Sequence, residues 1–256
     1  MLRTFILMLF ALLSSAASAI CPARSFNYPS DLLLDADAAL IVTHASTSFD
    51  ARYATKPGVD AAVRFARNRN LPVLYLEKDE APESYFAEDC APDYRVFSED
   101  GELPIEMGPA DLHVVGGHIE LCLAHTLQDV LASWSRRPNT RLRLTFYMDG
   151  IYSNGKSIRE SDPYFKAAAS FLGIVSHGRG GVEAWSKLTV LETLALIPGP
   201  EQRYAYLQRL LPSYEVLSPS YRVELQLNDA PPRVLRTGRP QSGMLLQFRF
   251  VDSARE

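Results

Sequence analysis

Leu112-His-Val-Val-Gly-Gly-His-Ile-Glu-Leu-Cys-Leu-Ala-His-Thr-Leu-Gln-Asp-Val-Leu131 is the stretch whose pattern decides the fold. Leu112 to Val115 is a short apolar run rich in Val, which suits a buried strand. Gly116-Gly117 breaks the run and permits a sharp turn. From Ile119 the spacing changes: Ile119, Leu123, Thr126, Leu127, Val130 and Leu131 recur every three or four residues, as on one helix face. The stretch is a strand, a tight glycine turn and a helix. Cys122 falls in the first helical turn, where unpaired N–H groups and the helix dipole favour a thiolate. That position suggests a nucleophile. The alternative is a small buried residue, since free Cys often acts as a core hydrophobe.

The same rhythm runs outward in both directions. Ala38 to Thr43 predicts a first buried strand, followed by His44 and a polar loop. Gly58 to Asn68 has helical spacing through Val59, Ala62, Val63 and Ala66. Val73 to Leu76 predicts a second strand, with Glu77 at its exit. Strand, helix and strand in this order make a right-handed parallel unit. The segment from Asp79 to Pro109 is irregular, with a hairpin expected around Tyr94 to Ile105 at the Asp100-Gly101 turn; loops of such length often act as lids. Leu142 to Met148 predicts a fourth strand ending at Asp149, and helices are expected at 161–172, 182–195 and 201–211. Beyond these, Tyr221 to Leu227 alternates apolar and polar residues, and Arg233 to Arg236 and Met244 to Val251 look like further strands. They predict a small antiparallel β appendage on an α/β body.

The chain begins with a positive start at Arg3, an apolar run from Phe5 to Leu13 too short to span a bilayer, and Ala17-Ser18-Ala19. This is the pattern of a secretory signal peptide cleaved after Ala19. The mature protein is therefore expected to be secreted or periplasmic, with no membrane segment after cleavage. The expected organisation is a signal at 1–19, an α/β domain at 20–215 and the β appendage at 216–256. Of the three cysteines, Cys21 and Cys90 are the preferred disulfide pair in an oxidising compartment, leaving Cys122 free. Their spacing does not suit a structural zinc site.

The 256 residues are 47% hydrophobic and 22% charged, ordinary for a globular protein. The net charge of -4 is mild and no basic stripe is present, so nucleic acid is not suggested. No repeat or low-complexity tract occurs. Gly178-Arg-Gly-Gly181 lacks the Lys-Ser/Thr of a P-loop, and no G-x-G-x-x-G or G-x-S-x-G occurs. No cofactor is expected, and no metal, although His118, Cys122 and His125 share related helical positions, because no carboxylate completes a ligand set.

Four predicted parallel strands thus end in His44, Glu77, the Gly116-Gly117-His118 turn and Asp149. In open α/β sheets ligands bind outside the carboxyl ends of the strands. These residues and Cys122 are expected to line one crevice for a small-molecule substrate. Each has a plainer alternative: His44 as a polar strand end, Glu77 as a solvated neighbour of Lys78, and Tyr152, Ser153 and Asn154 as a simple turn before Gly155.

Residues 116–129, Gly-Gly-His-Ile-Glu-Leu-Cys-Leu-Ala-His-Thr-Leu-Gln-Asp, resemble the signature of the isochorismatase-like cysteine hydrolases, with Gly116, Glu120, Cys122, Thr126 and Asp129 in register. Met148-Asp149-Gly-Ile-Tyr-Ser153 resembles the family's next strand and Asp-containing loop. The resemblance implies a three-layer α/β sandwich with a mainly parallel sheet and a nucleophilic Cys122. It also implies a cis bond at Gly117–His118, and an oxyanion hole made by the amides of His118 and Cys122. The family's Cys works with a first-strand Asp and a Lys. Here His44 stands at the acid's position, and Arg95 is the nearest basic residue on the segment before Leu112. A Cys–His site is therefore expected, with His44 or His118 as base. Glu77, Gly117, Glu120, Asp149 and Tyr152 would hold substrate.

The expected function is an exported hydrolase that uses Cys122 on a small amide or ester. The rival is a catalytically inactive module that binds a small molecule or a partner, and a third reading is a structural protein using the β appendage as an interface. The chain could also form a homo-oligomer.

Overall fold

The computed structural model describes residues 36–46, 54–78, 92–103, 108–119, 121–135, 141–151, 164, 168, 196–210, 221–237 and 244–253. The expected signal, Cys21, Cys90, Glu120, Tyr152 and the 182–195 helix lie outside them.

Eight strands form one sheet: β1 Ala38–Thr43, β2 Val73–Glu77, β3 Tyr94–Phe97, β4 Asp111–Gly116, β5 Arg141–Tyr147, β6 Arg222–Leu227, β7 Arg233–Arg236 and β8 Leu245–Val251. Their order is β3-β2-β1-β4-β5-β8-β6-β7. Every pairing is parallel except β6 with β7. Helices α1 Lys56–Asn68, α2 Cys122–Ser135 and α3 Pro200–Leu210 accompany the sheet. The architecture is the α/β class with a mainly parallel sheet that the sequence predicts.

The strands at the amino-terminal side of the sheet are apolar on both faces. Ala39 and Ile41 of β1, Leu74 and Leu76 of β2, and Leu112 and Val114 of β4 pack with Leu123 and Leu127 of α2. The alternate residues Leu40, Val42, Val73, Tyr75 and Val115 pack with Val59, Val63 and Ala66 of α1. Tyr204 and Leu207 of α3 join the α2 side. Helices on both faces bury a parallel sheet whose strands are continuous hydrophobic runs.

Two expectations are corrected in detail. The segment at 94–97 is not the arm of a hairpin. It lies parallel to β2 as the edge strand, with Leu74 opposite Tyr94 and Glu77 opposite Phe97. The turn signal at Asp100-Gly101 does mark a turn, since Gly101 has φ +83°, but it leads the chain onto α2. The carboxy-terminal strands also connect differently. The antiparallel pair is present as β6–β7, yet β8 inserts between β5 and β6, parallel to both. The appendage is thus continuous with the main sheet.

Gly58 shows how tightly α1 packs. A Cβ there would run into the backbone of Asp149 and Gly150, in the 3-10 turn Met148–Gly150 that follows β5. In a solvated helix Gly→Ala gains about 1 kcal/mol. Here we expect Gly58→Ala to destabilise by roughly 1–3 kcal/mol, because the helix must move away from the turn. A lower urea midpoint with an unchanged slope is the expected result; an unchanged or raised midpoint would show that α1 can shift at no cost.

Candidate active site

β4 ends against β1, with Thr43 opposite Gly116. A Cβ on Gly116 would strike the Thr43 carbonyl oxygen, so only glycine fits this approach. Gly116 and Gly117 both take positive φ, +81° and +71°, a conformation open to glycine at little cost. The cis bond that the resemblance implies at Gly117–His118 is not there: among the described residues no peptide bond is cis. The two left-handed glycines reverse the chain, and α2 starts at Cys122.

The reversal folds the backbone around the Cys122 sulfur. The His118 N–H donates to Cys122 Sγ at 3.3 Å. A Cβ on Gly117 would stand 3.1 Å from Sγ and 3.3 Å from Thr43 Cγ2, so the missing side chain leaves the thiol its space. Cys122 is 8% exposed. The helix-terminus expectation of a lowered thiol pKa is only half met. Burial pushes the thiol up, and this outweighs the downward pull of the His118, Leu123 and Cys122 amides and of the Lys78 charge. In the resting site the group is a thiol, with donors in place for a thiolate.

His44 follows β1 and is 2% exposed. Its φ of +43° is unusual for a residue with a side chain. Its N–H donates to Leu76 O at 2.9 Å, and its Nε2 lies 2.7 Å from the Ser98 carbonyl oxygen. Burial lowers its pKa, and Lys78 adds to this. The Ser98 hydrogen bond and the charges of Glu99 and Asp100 act the other way. His118 is lowered as well, first by burial and then by His44. Both imidazoles are therefore neutral near pH 7.

The other expected residues separate into two groups. Glu77 continues the alternation of Val73 and Tyr75, which puts it on the α1 side of the sheet, where Arg95 pairs with it at 3.1 Å. Asp149 accepts from the Ser253 N–H at 2.9 Å and from Ser253 Oγ at 2.5 Å, so it ties the residues after β8 to the turn after β5. The structure gives these two carboxylates structural partners, whereas it brings Gly117, His118 and Cys122 together, with His44 near enough to His118 for the two imidazoles to act on each other.

Lys78 is the residue that sequence reasoning missed. Its charge acts on both His44 and Cys122, and its Nζ lies 3.0 Å from Glu99. The signal was present. Counting by two from Leu74 and Leu76 puts residue 78, not residue 77, on the α2 side. The segment 98–103 was missed too. Its turn carries Ser98 to His44 and packs so closely on α2 that a Cβ on Gly101 would meet the Cys122 carbonyl.

Among the described residues no group of three or more His, Cys, Asp or Glu could hold a metal ion, and no helix is long and apolar enough to cross a membrane.

No protein-family model matches the chain, and no curated protein does. Solved structures similar to it include N-carbamoylsarcosine amidase from Thermoplasma acidophilum, at 14% identity over 48% of this chain and 88% of that one, TM-score 0.37. The MAR1 ribonuclease from Caenorhabditis elegans is 18% identical over 74% and 93%, TM-score 0.37. The nicotinamidase SaPncA from Staphylococcus aureus is 12% identical over 46% and 86%, TM-score 0.35. At these TM-scores none of them bears on activity or on the role of a residue.

The buried imidazoles make stability depend on pH. With the folded pKa below an unfolded value of about 6.5, the unfolded chain binds more protons in the interval between them. Their contribution is complete above about pH 6.5 and is lost as pH falls through the folded value. Urea unfolding should show a midpoint that falls between about pH 7.5 and pH 5, with a shallower fall in His44→Gln. An identical pH slope in the variant would show that His44 titrates in the folded state as it does unfolded.

Proposed function

We propose that the protein is a cysteine hydrolase acting on a small amide or ester, with Cys122 as nucleophile and His44 as base. One observation carries this reading: a buried thiol at a helix start, with the His118 N–H directed at its sulfur and a glycine whose missing side chain leaves room beside it. The resemblance of residues 116–129 to the isochorismatase-like signature supports the same reading.

In the proposed reaction His44 takes the Cys122 proton and the sulfur bonds to the substrate carbonyl carbon. The carbonyl oxygen becomes an oxyanion, held by the amides of His118 and Cys122. Donors that hold charge on sulfur before attack are adjacent to the oxygen that carries it afterwards. Collapse breaks the C–N or C–O bond, and His44 returns its proton to the departing amine or alcohol. Water then attacks the thioester, again losing a proton to His44, and releases the acid and the free thiol. The neutral form of His44 required for the first step is the form its burial favours.

Lys78 stands beside this site, joined to Glu99, and its charge favours the thiolate. In the proposal Gly117, lacking a side chain, leaves the space beside the sulfur to the substrate. Substrate contacts from Glu120 and Tyr152 are part of the proposal. So are export after cleavage at Ala19 and self-association of the mature chain.

Alkylation of Cys122 by iodoacetamide across pH, with mass mapping, is the direct test, followed by a screen of small amides and esters. His44→Gln is expected to reduce both alkylation near pH 7 and any hydrolysis by roughly a hundredfold or more. Cys122→Ala is expected to abolish hydrolysis. Hydrolysis that survives Cys122→Ala, or a folded wild-type protein whose Cys122 is not alkylated at any pH, would overturn the nucleophile assignment.

A further inference from the structure

A base must present a lone pair, and in neutral imidazole only one of the two ring nitrogens has one. Which nitrogen it is depends on what the other binds. For His44 Nε2 the partner at 2.7 Å fixes the hydrogen. Ser98 O is a backbone carbonyl and can only accept, so His44 Nε2 carries the hydrogen. In the neutral ring Nδ1 then carries the lone pair.

The Ser98 carbonyl is itself fixed from two sides. The Ser98 N–H donates to Glu77 O at 2.8 Å, continuing the ladder between β2 and β3. Beyond it, residues 100–103 are fastened to α2 at three points. His125 Nδ1 donates to Asp100 O at 2.9 Å, and Thr126 Oγ1 to Gly101 O at 2.6 Å. Asp129 Oδ2 accepts from the Leu103 N–H at 2.9 Å. Thr43 Oγ1 lies 3.3 Å from Thr126 Oγ1. Since the Thr126 hydrogen goes to Gly101, Thr43 is the donor there. Residues 125, 126 and 129 lie on one helical surface. They face the strap at 98–103, one turn beyond the thiol on the same helix.

We propose that the 98–103 strap, latched to α2 by His125, Thr126 and Asp129, is a positioning device that holds His44 in the Nε2–H form and makes Nδ1 the nitrogen that receives the thiol proton. Asp129 is its far anchor and acts through the strap, since its carboxylate binds the Leu103 amide. The helix that bears the nucleophile thus also sets the tautomer of its base. The inference rests on the reading of His44 as base, and its test is separable from that reading.

The test is ¹⁵N-detected histidine NMR on the full chain without an affinity tag, with the His44 signals assigned by their loss in His44→Gln. The wild-type protein should show a pyrrole-type Nε2 and a pyridine-type Nδ1 at His44. Asp129→Ala should blur that signature into a tautomer mixture and slow Cys122 alkylation by iodoacetamide near pH 7 by roughly tenfold. Asp129→Asn keeps an oxygen acceptor and should restore both. His113 is an internal control for folding, because its Nδ1 meets Tyr147 OH at 2.8 Å on the α1 side of the sheet. Its signals should not move. If Asp129→Ala unfolds, His125→Ala removes a more exposed fastening and is read in the same way. The opposite tautomer in the wild-type protein would overturn the proposal. So would a His44 signature unmoved in the folded variant, or a changed signature with unchanged alkylation. The ring signature needs no thiol chemistry, so an inert Cys122 would sink the nucleophile assignment and still leave the latch decided.

Discussion

Everything in the site depends on how closely β4 approaches β1 at their carboxyl ends. Thr43 and Gly116 stand opposite each other at a distance that admits no side chain on residue 116. The chain can leave this contact only by turning back sharply, and Gly117 continues the turn with a second left-handed residue. The turn delivers Ile119 into the core, Cys122 to the start of α2 and the His118 amide to the sulfur. A side chain at either glycine would alter all three placements. The chemistry of the thiol is therefore set by backbone geometry before any titratable group is considered, and burial and dipoles act on a sulfur already placed.

Much of this was legible in the sequence. Strands β1, β2, β4 and β5 are short apolar runs that end in polar residues, and that pattern survives because both faces of a parallel sheet must be buried. The turn at Gly116-Gly117 was legible because glycine pairs have few other uses between a strand and a helix. The placement of the candidate residues was legible only where strand parity was irrelevant. His44, Gly117, His118 and Cys122 sit at the chain reversals themselves. Glu77 and Asp149 failed to join them because ending a strand on the correct edge does not decide which face a side chain takes. Glu77 falls on the α1 side with Arg95, while its neighbour Lys78 acts on the site.

The carboxy-terminal strands show a different limit. β6 alternates buried with more open residues, and Arg222, Glu224 and Gln226 of β6 share a face with Gln247 and Arg249 of β8. There Gln247 donates to Glu224 at 2.6 Å and Arg249 to Gln226 at 3.0 Å. Alternation of this kind suggests an antiparallel sheet with one wet face. In fact the pattern reports only that one face is polar. Strand direction is decided by connections, and the pairing of β8 with β5 spans about a hundred positions that local periodicity cannot see.

The insertion of β8 has a consequence for how the chain is made. β5 can align with β4 as soon as it is synthesised, but the flank of β5 facing β6 stays open until β8 arrives, because β8 lies between them. β6 and β7 can close as a local hairpin, with Arg233 reaching the Glu201 carboxylate on α3. That hairpin has no place in the sheet until the last strand is threaded beside it. The nascent protein thus passes through an interval with two unsatisfied strand edges, at β5 and at β6, separated by the width of one strand. Open edges of this kind are templates for pairing with other chains. The seven residues Leu245–Val251 close both edges in one step, so they act as a keystone whose late arrival sets how long the growing chain remains exposed to aggregation.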